Sequence, residues 1–228
     1  IYFNKRGMGE SGGNWMRNDF QGRAEDVHAI FDYASGLDGI DENRIGLVGH
    51  SQGGWIAALA AAQNSGYAFF ISLAGPATSV VEQMEDIYEN DFLCQGYAGE
   101  ELQKKVERQL WLAKTGAAIG RVIPIGVIGF DSGIIDYDPR ETLESVKVPG
   151  LMVFGTHDPY VPADQNAERF QAIFPEGSEY LQPYVVENGD HHFRLTESPC
   201  QSYEERLKEP FSDDLRVFLE NWLNDLGF

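Results

Sequence analysis

Hydrophobic positions along this chain follow two rhythms. Short apolar runs alternate with longer stretches in which apolar side chains recur every three or four positions, the patterns of buried strands and of amphipathic helices. The runs are Ile1-Tyr2-Phe3-Asn4, Arg44-Ile45-Gly46-Leu47-Val48, 67–74, Gly150-Leu151-Met152-Val153-Phe154-Gly155 and Tyr184-Val185-Val186-Glu187. Between them, Phe20, Ala24, Val27, Ile30, Phe31 and Ala34 predict a helix over 19–35, with His28 at its surface or rim. The stretch from Gly54 to Ala62 is apolar nearly all round, so its helix should be buried. A helix is expected over 163–174 and a closing one over 211–226, with Leu215, Phe218, Leu219, Trp222 and Leu226 on one face. Ser212 suits the N-cap of that last helix and Gly227 its stop.

Residues 77–148 break the alternation. Val80, Met84 and Ile87 suggest one helix there, and Leu102, Val106, Leu110 and Ala113 a second. The apolar stretch 116–135 is interrupted by Gly120, Pro124, Gly126, Gly129 and Gly133 and is expected to be too broken for a regular helix. Long connections inside compact domains usually serve as lids or binding loops. The division expected is therefore a core from 1–76 and 149–228 with a cap inserted at 77–148. Strands alternating with helices on either side of that insertion mean α/β architecture, a mostly parallel sheet wrapped by helices.

Composition narrows the partners. The chain has 228 residues, 43% of them hydrophobic, with 36 Asp and Glu against 17 Lys and Arg and a formal net charge of −19. Such a surface is repelled by nucleic acid and by anionic membrane. No stretch is apolar for long enough to span a bilayer. No secretory leader is legible, and with Ile1 first the compartment stays open, cytoplasmic or secreted. Two cysteines, Cys94 and Cys200, make no disulfide framework, although one bridge between them is open. No Cys and His spacing suits zinc. The loop Lys5-Arg6-Gly7-Met8-Gly9-Glu10-Ser11-Gly12-Gly13 has neither nucleotide-binding glycine pattern and reads as a turn beside a pocket.

The candidate chemistry centres on Gly49-His50-Ser51-Gln52-Gly53. It sits between an expected strand and an expected helix, the context that a G-x-S-x-G nucleophile elbow requires. A hydroxyl on a tight turn stands clear of the sheet edge, and the N–H groups of the following helix favour negative charge there. The alternative is a glycine-rich turn with an idle serine. A serine needs an adjacent base held by a third group. Asp158 follows one expected strand, in Gly155-Thr156-His157-Asp158, and His191 follows the next, in Asn188-Gly189-Asp190-His191-His192. His192 competes with His191 as the base, and Asp164 with Asp158 as the acid. His50 should point away from the site, and His157 reads as a loop residue. Trp15, Trp55, Tyr160 and Phe193 are candidates for a pocket wall or for ordinary packing.

The chain order Ser51, Asp158, His191, with the loop 5–13 and the Gly49-His50-Ser51-Gln52-Gly53-Gly54 elbow, resembles the α/β-hydrolases of the esterase and prolyl-oligopeptidase-like group. The resemblance implies that Ser51 is the nucleophile, His191 the general base and then acid, and Asp158 the residue that orients the imidazole. It implies the backbone N–H of Gln52 as one oxyanion donor. It also implies hydrolysis of a small-molecule carboxyl ester through an acyl-enzyme, with no metal or organic cofactor. Peptidase or thioesterase activity is the neighbouring reading, and a non-catalytic binding module of the same fold is the reading from another class. One departure stands out. The family carries a further strand and a His-Gly type loop ahead of the segment matching Ile1, and that loop supplies the second oxyanion donor. The N-terminal strands are thus expected to be absent here, leaving a sheet edge to be completed by an upstream segment or by a second copy of the chain.

Overall fold

The computed structural model describes residues 1–123 and 126–228, and of 127, 128, 130 and 131 the backbone alone. In chain order the described elements are helix α1 (Phe20–Ser35), strand β1 (Leu47–His50), helix α2 (Gln52–Gln63), strand β2 (Phe70–Leu73), helices α3 (Val80–Cys94), α4 (Gly99–Val122), α5 (Gly126–Ile134) and α6 (Arg140–Ser145), strand β3 (Gly150–Gly155), helix α7 (Ala163–Ile173), strand β4 (Leu181–Val186), and helices α8 (Tyr203–Arg206) and α9 (Asp213–Asp225).

The four strands form one parallel sheet in the order β1-β2-β3-β4. Leu47 pairs with Phe70, Phe70 with Gly150, and Gly150 with Leu181, so the strands start level, and β3 and β4 run two residues beyond β1 and β2. Each connection runs over a face of the sheet, as parallel pairing demands. β3 is buried at every position, and its side chains divide between two cores. Met152 and Phe154 join Phe70, Ala57, Ala58, Ala61, Leu143, Phe170 and Ile173 on one face. Leu151 and Val153 join Ile71, Val186, Phe193 and Leu215 on the other, under Phe218, Leu219 and Trp222 of α9. A strand covered on both faces must read as a continuous apolar run, which is why β3 was legible to its ends.

Local chemistry sets the helix ends. Asp19 caps α1 by accepting from Gly22 N at 2.9 Å, and Ser212 caps α9 by accepting from Leu215 N at 3.2 Å. Ser79 and Glu82 close a capping box on α3. α1 packs on α2 through Ala24, Ala60 and Tyr67, while Phe20, Trp55, Val80 and Ile134 gather α1, α2, α3 and α5 into a further cluster.

Two expectations are corrected. Ile1-Tyr2-Phe3-Asn4 is no strand: it lies outside the sheet, with Ile1 73% and Tyr2 93% exposed. A strand exists only where a neighbour takes up its N–H and C=O groups, and this segment has no such neighbour among the described residues. The stretch 116–135 is not irregular either. α4 continues through Gly116 and Gly120 to Val122, and α5 resumes at Gly126. A glycine inside a helix is unfavourable by about 1 kcal/mol relative to alanine, and packing against α5 and the buried positions Ala117 and Gly120 outweigh that. Ile123, at the end of α4, is 54% exposed; the side chain of Ile128, in the same stretch, lies outside the described residues. Cys94, the last residue of α3, is bonded to Cys200, in the loop ahead of α8.

Candidate active site

Three loops meet at the carboxyl edge of the sheet. The first is the turn from β1 into α2. Ser51 sits there with φ 54° and ψ −125°, a conformation that side-chain-bearing residues rarely adopt. The turn closes only because its neighbours are small. A Cβ on Gly49 would lie 1.9 Å from Gly53 O, and one on Gly54 would lie 2.3 Å from Ser72 Oγ and 2.6 Å from Gly75 Cα. Ser51 N donates to Leu73 O at 2.8 Å and Gly54 N to Ser51 O at 2.8 Å, which pins the turn to β2. Ser51 Oγ caps no N–H of α2. Strain held at one residue by surrounding structure marks a site worth testing for function.

The second loop follows β3. Asp158 is 2% exposed. Its Oδ1 accepts from Tyr160 N at 2.8 Å and Val161 N at 3.0 Å, and its Oδ2 accepts from His191 Nδ1 at 2.7 Å. The loop after β4 carries His191 and is tightened by Asp190, whose Oδ1 accepts from His192 N at 2.8 Å and Arg194 N at 2.9 Å. Asn188 and Phe193 bracket the turn at φ 58° each. Gly155 lets the two loops touch: a Cβ there would stand 2.2 Å from Gly189 O. His157 N donates to Gly189 O at 2.9 Å across the same seam.

With Nδ1–H given to Asp158, the other ring nitrogen of His191 is left to accept a proton. Tyr160 packs edge-on against this ring, with centres 5.0 Å apart. His50 does not point away as expected. Its Nε2–H donates to the His191 carbonyl at 2.7 Å, and its ring stands 4.8 Å from that of His191. Burial pushes the His50 pKa down, with the neighbouring His191 and His192 adding to the effect against the pull of the carbonyl bond and Asp158. A neutral His50 therefore braces the His191 loop. His192 turns its Nδ1 to His50 at 3.4 Å, His157 Nδ1 meets Thr196 O at 2.8 Å, and Asp164 is exposed in the first turn of α7. None of these three reaches the Asp158–His191 pair through a bond among the described residues.

Arg23 was not singled out by the sequence. It interrupts the apolar face of α1, is buried, and donates through Nη1 to Gln52 Oε1, through Nε to Asn18 O at 3.0 Å and through Nη2 to Trp15 O at 3.3 Å. It thereby ties the residue after Ser51 to the segment ahead of α1. Burial lowers its pKa, with Asp19 and Asp26 opposing. Of the aromatic candidates, Trp55 is buried against Phe20 and Tyr137, Phe193 belongs to the core under α9, Trp15 lies under the Lys5 ammonium at 4.8 Å, and Tyr160 alone stands against His191. A cavity of about 680 Å³ runs along the outer edge of β1 to Ser51, Gln52 and Gly53, walled by apolar residues of α1 and by Ile1 and Phe3.

Comparison with solved structures places the fold. A 2,6-dihydroxy-pseudo-oxynicotine hydrolase superposes with a TM-score of 0.55 at 18% identity, over 92% of this chain and 47% of that one. GrgF, an α/β hydrolase from Penicillium sp. sh18, gives 0.57 at 20% identity, over 97% of this chain and 76% of that one. This chain has the α/β-hydrolase fold. An esterase of Pyrococcus furiosus shares the fold at a TM-score of 0.53 and 17% identity, over 95% of this chain and 67% of that one. The family model of the prolyl oligopeptidase family matches residues 1–110 of this chain, and no curated protein matches it. The chain spans less than half the length of the oxynicotine hydrolase. No helix among the described residues is long and apolar enough to cross a membrane.

Proposed function

We propose that this chain is a serine hydrolase that cleaves carboxyl esters. The observation that carries the reading is the 2.7 Å bond between Asp158 and His191, with the other carboxylate oxygen held by two backbone N–H groups, at the sheet edge where Ser51 occupies a strained turn. Ser51 Oγ attacks the ester carbonyl while His191 takes the hydroxyl proton. His191 returns that proton to the departing alcohol, then takes one from a water that attacks the acyl-enzyme and passes it to Ser51 Oγ as the acyl–oxygen bond breaks and the acid leaves. Asp158 keeps the imidazole in the tautomer that can accept and stabilises it when charged. The Gln52 N–H, at the start of α2, meets the oxyanion; removal of one such donor typically slows turnover by about 10²–10³-fold. Helices α3 to α6 act as a cap over this edge, consistent with Gln83 of α3 reaching the Tyr160 carbonyl at 3.5 Å.

A fluorophosphonate probe tests the reading. Rapid labelling at Ser51, lost in Ser51→Ala and slowed in His191→Ala, supports it; no labelling of the folded protein sinks it in favour of a binding module. The family match favours a second reading, peptidase activity at the same residues. Turnover of p-nitroanilide peptides above that of p-nitrophenyl butyrate would select it.

A further inference from the structure

Arg206, the last residue of α8, is 9% exposed, and its Nε is buried with no hydrogen-bond partner. Among the described residues no carboxylate pairs with it. The sequence nevertheless holds 36 acids against 17 Lys and Arg, and Arg6, Arg121, Arg140, Arg169 and Arg216 each have an acidic partner. A buried N–H without a hydrogen-bond partner is unfavourable, and buried polar groups are ordinarily completed by one. What lies beside Arg206 is Tyr160: the guanidinium carbon is 5.9 Å from that ring's centre. Tyr160 in turn is the aromatic edge against His191, 5.0 Å between centres. The Cys94–Cys200 bond fastens α3 to the segment that leads into α8.

We propose that Arg206 is a specificity-determining residue of the hydrolase site, the anchor for a carboxylate carried by the substrate. The proposal rests on the serine-hydrolase reading of Ser51 and His191. The planar fork of a guanidinium matches a carboxylate with two parallel N–H donors, and a weakly hydrated guanidinium tolerates burial until that anion arrives. Through Tyr160, Arg206 lies within one ring of His191, so the carboxylate belongs on a short arm of the substrate beyond the scissile carbonyl. Half-esters of short dicarboxylic acids have that form.

The test compares p-nitrophenyl hemiglutarate with p-nitrophenyl butyrate in wild-type protein, Arg206→Gln and Arg206→Lys. The expected result is a fall in the hemiglutarate-to-butyrate ratio of kcat/KM in Arg206→Gln of about 10- to 100-fold, the weight of a hydrogen bond to a charged group. The loss should appear in KM, with partial recovery in Arg206→Lys. A second readout needs no turnover: glutarate should raise the melting temperature of Ser51→Ala protein and leave that of the Ser51→Ala, Arg206→Gln double variant in place. An unchanged ratio, or parallel losses on both esters with no glutarate effect, overturns the proposal. If wild-type protein hydrolyses neither ester and Ser51 resists the fluorophosphonate, the serine-hydrolase reading fails by itself. Glutarate stabilisation that depends on Arg206 would then still uphold an anion site, and its absence would end that too.

Discussion

At Asp158 three donors converge on one carboxylate, two from the backbone and one from His191. An asparagine there can keep the backbone bonds on its carbonyl oxygen, but it turns an NH₂ towards His191 and so forces the opposite tautomer. Asp158→Asn should therefore lower kcat for ester hydrolysis by about 10⁴-fold while the protein stays folded, as steady-state kinetics beside a thermal melt would show. Asp86, on α3, behaves in the reverse sense. Burial pushes its carboxyl up to about 7, with Glu85, Glu89 and Glu82 adding to the effect, and Oδ2 has no partner. An acid whose pKa is raised by folding binds more protons in the native state between the two pKa values. Stability should then fall as pH rises from about 4 to about 7 and level off above. Asp86→Asn removes the buried charge. Discounted for partial exposure, the gain at pH 8 should be about 2–4 °C in Tm, roughly the effect of 1 kcal/mol in a domain this size, and it should vanish near pH 4. Calorimetry at the two pH values decides it.

At the scale of elements, the β1–α2 turn makes opposite demands on adjacent glycines. A Cβ on Gly54 would meet Gly75 Cα at 2.6 Å, whereas one on Gly53 meets nothing within 4 Å. Gly54→Ala should cost stability and activity together, because the strand and helix must separate to admit it. Gly53→Ala should stabilise the protein by about 0.4–1 kcal/mol through the unfolded state. A denaturant titration of the two variants would show the split; equal effects would mean that the turn is looser than its contacts indicate. The Cys94–Cys200 bond closes a loop of 106 residues that contains both Asp158 and His191. Cross-links of that reach constrain the unfolded chain most, so Cys200→Ser, or reduction of the wild type, should lower stability by about 2–5 kcal/mol in denaturant melts.

The whole molecule is asymmetric across its sheet. β4 lies at one edge and β1 at the other, and the outer side of β1 pairs with no strand among the described residues. Val48, in the middle of β1, is 64% exposed, and the cavity along that edge is largely apolar. Unpaired strand edges template association with another chain. Residues 1–228 are accordingly expected to self-associate through β1, and Val48→Lys should restore a monomer by placing a charge on the edge. Sedimentation over a range of concentrations would check this; a wild-type monomer at every concentration would refute it.

The strands and helices of the core were written in the sequence, since burial on two faces gives β3 its unbroken apolar run and burial on one gives α1 and α9 their periodic faces. The positions of Ser51, Asp158 and His191 at strand ends were legible for the same reason: each follows an apolar run and precedes a turn or a helix. The sequence alone did not pair His191 with Asp158 rather than His192 or Asp164; their hydrogen bond depends on how two loops meet across Gly155 and Gly189. It misplaced Ile1–Asn4, because two or three apolar residues define a strand only when a neighbour accepts their backbone bonds. It broke 116–135 into irregular chain, because helix propensity counts glycines and cannot see the packing that outweighs them. Arg23, Asp86 and Arg206 passed as ordinary charges among fifty-three. Only the tertiary structure set them in low-dielectric surroundings, where a charge must find a partner, lose its proton balance or wait for a ligand.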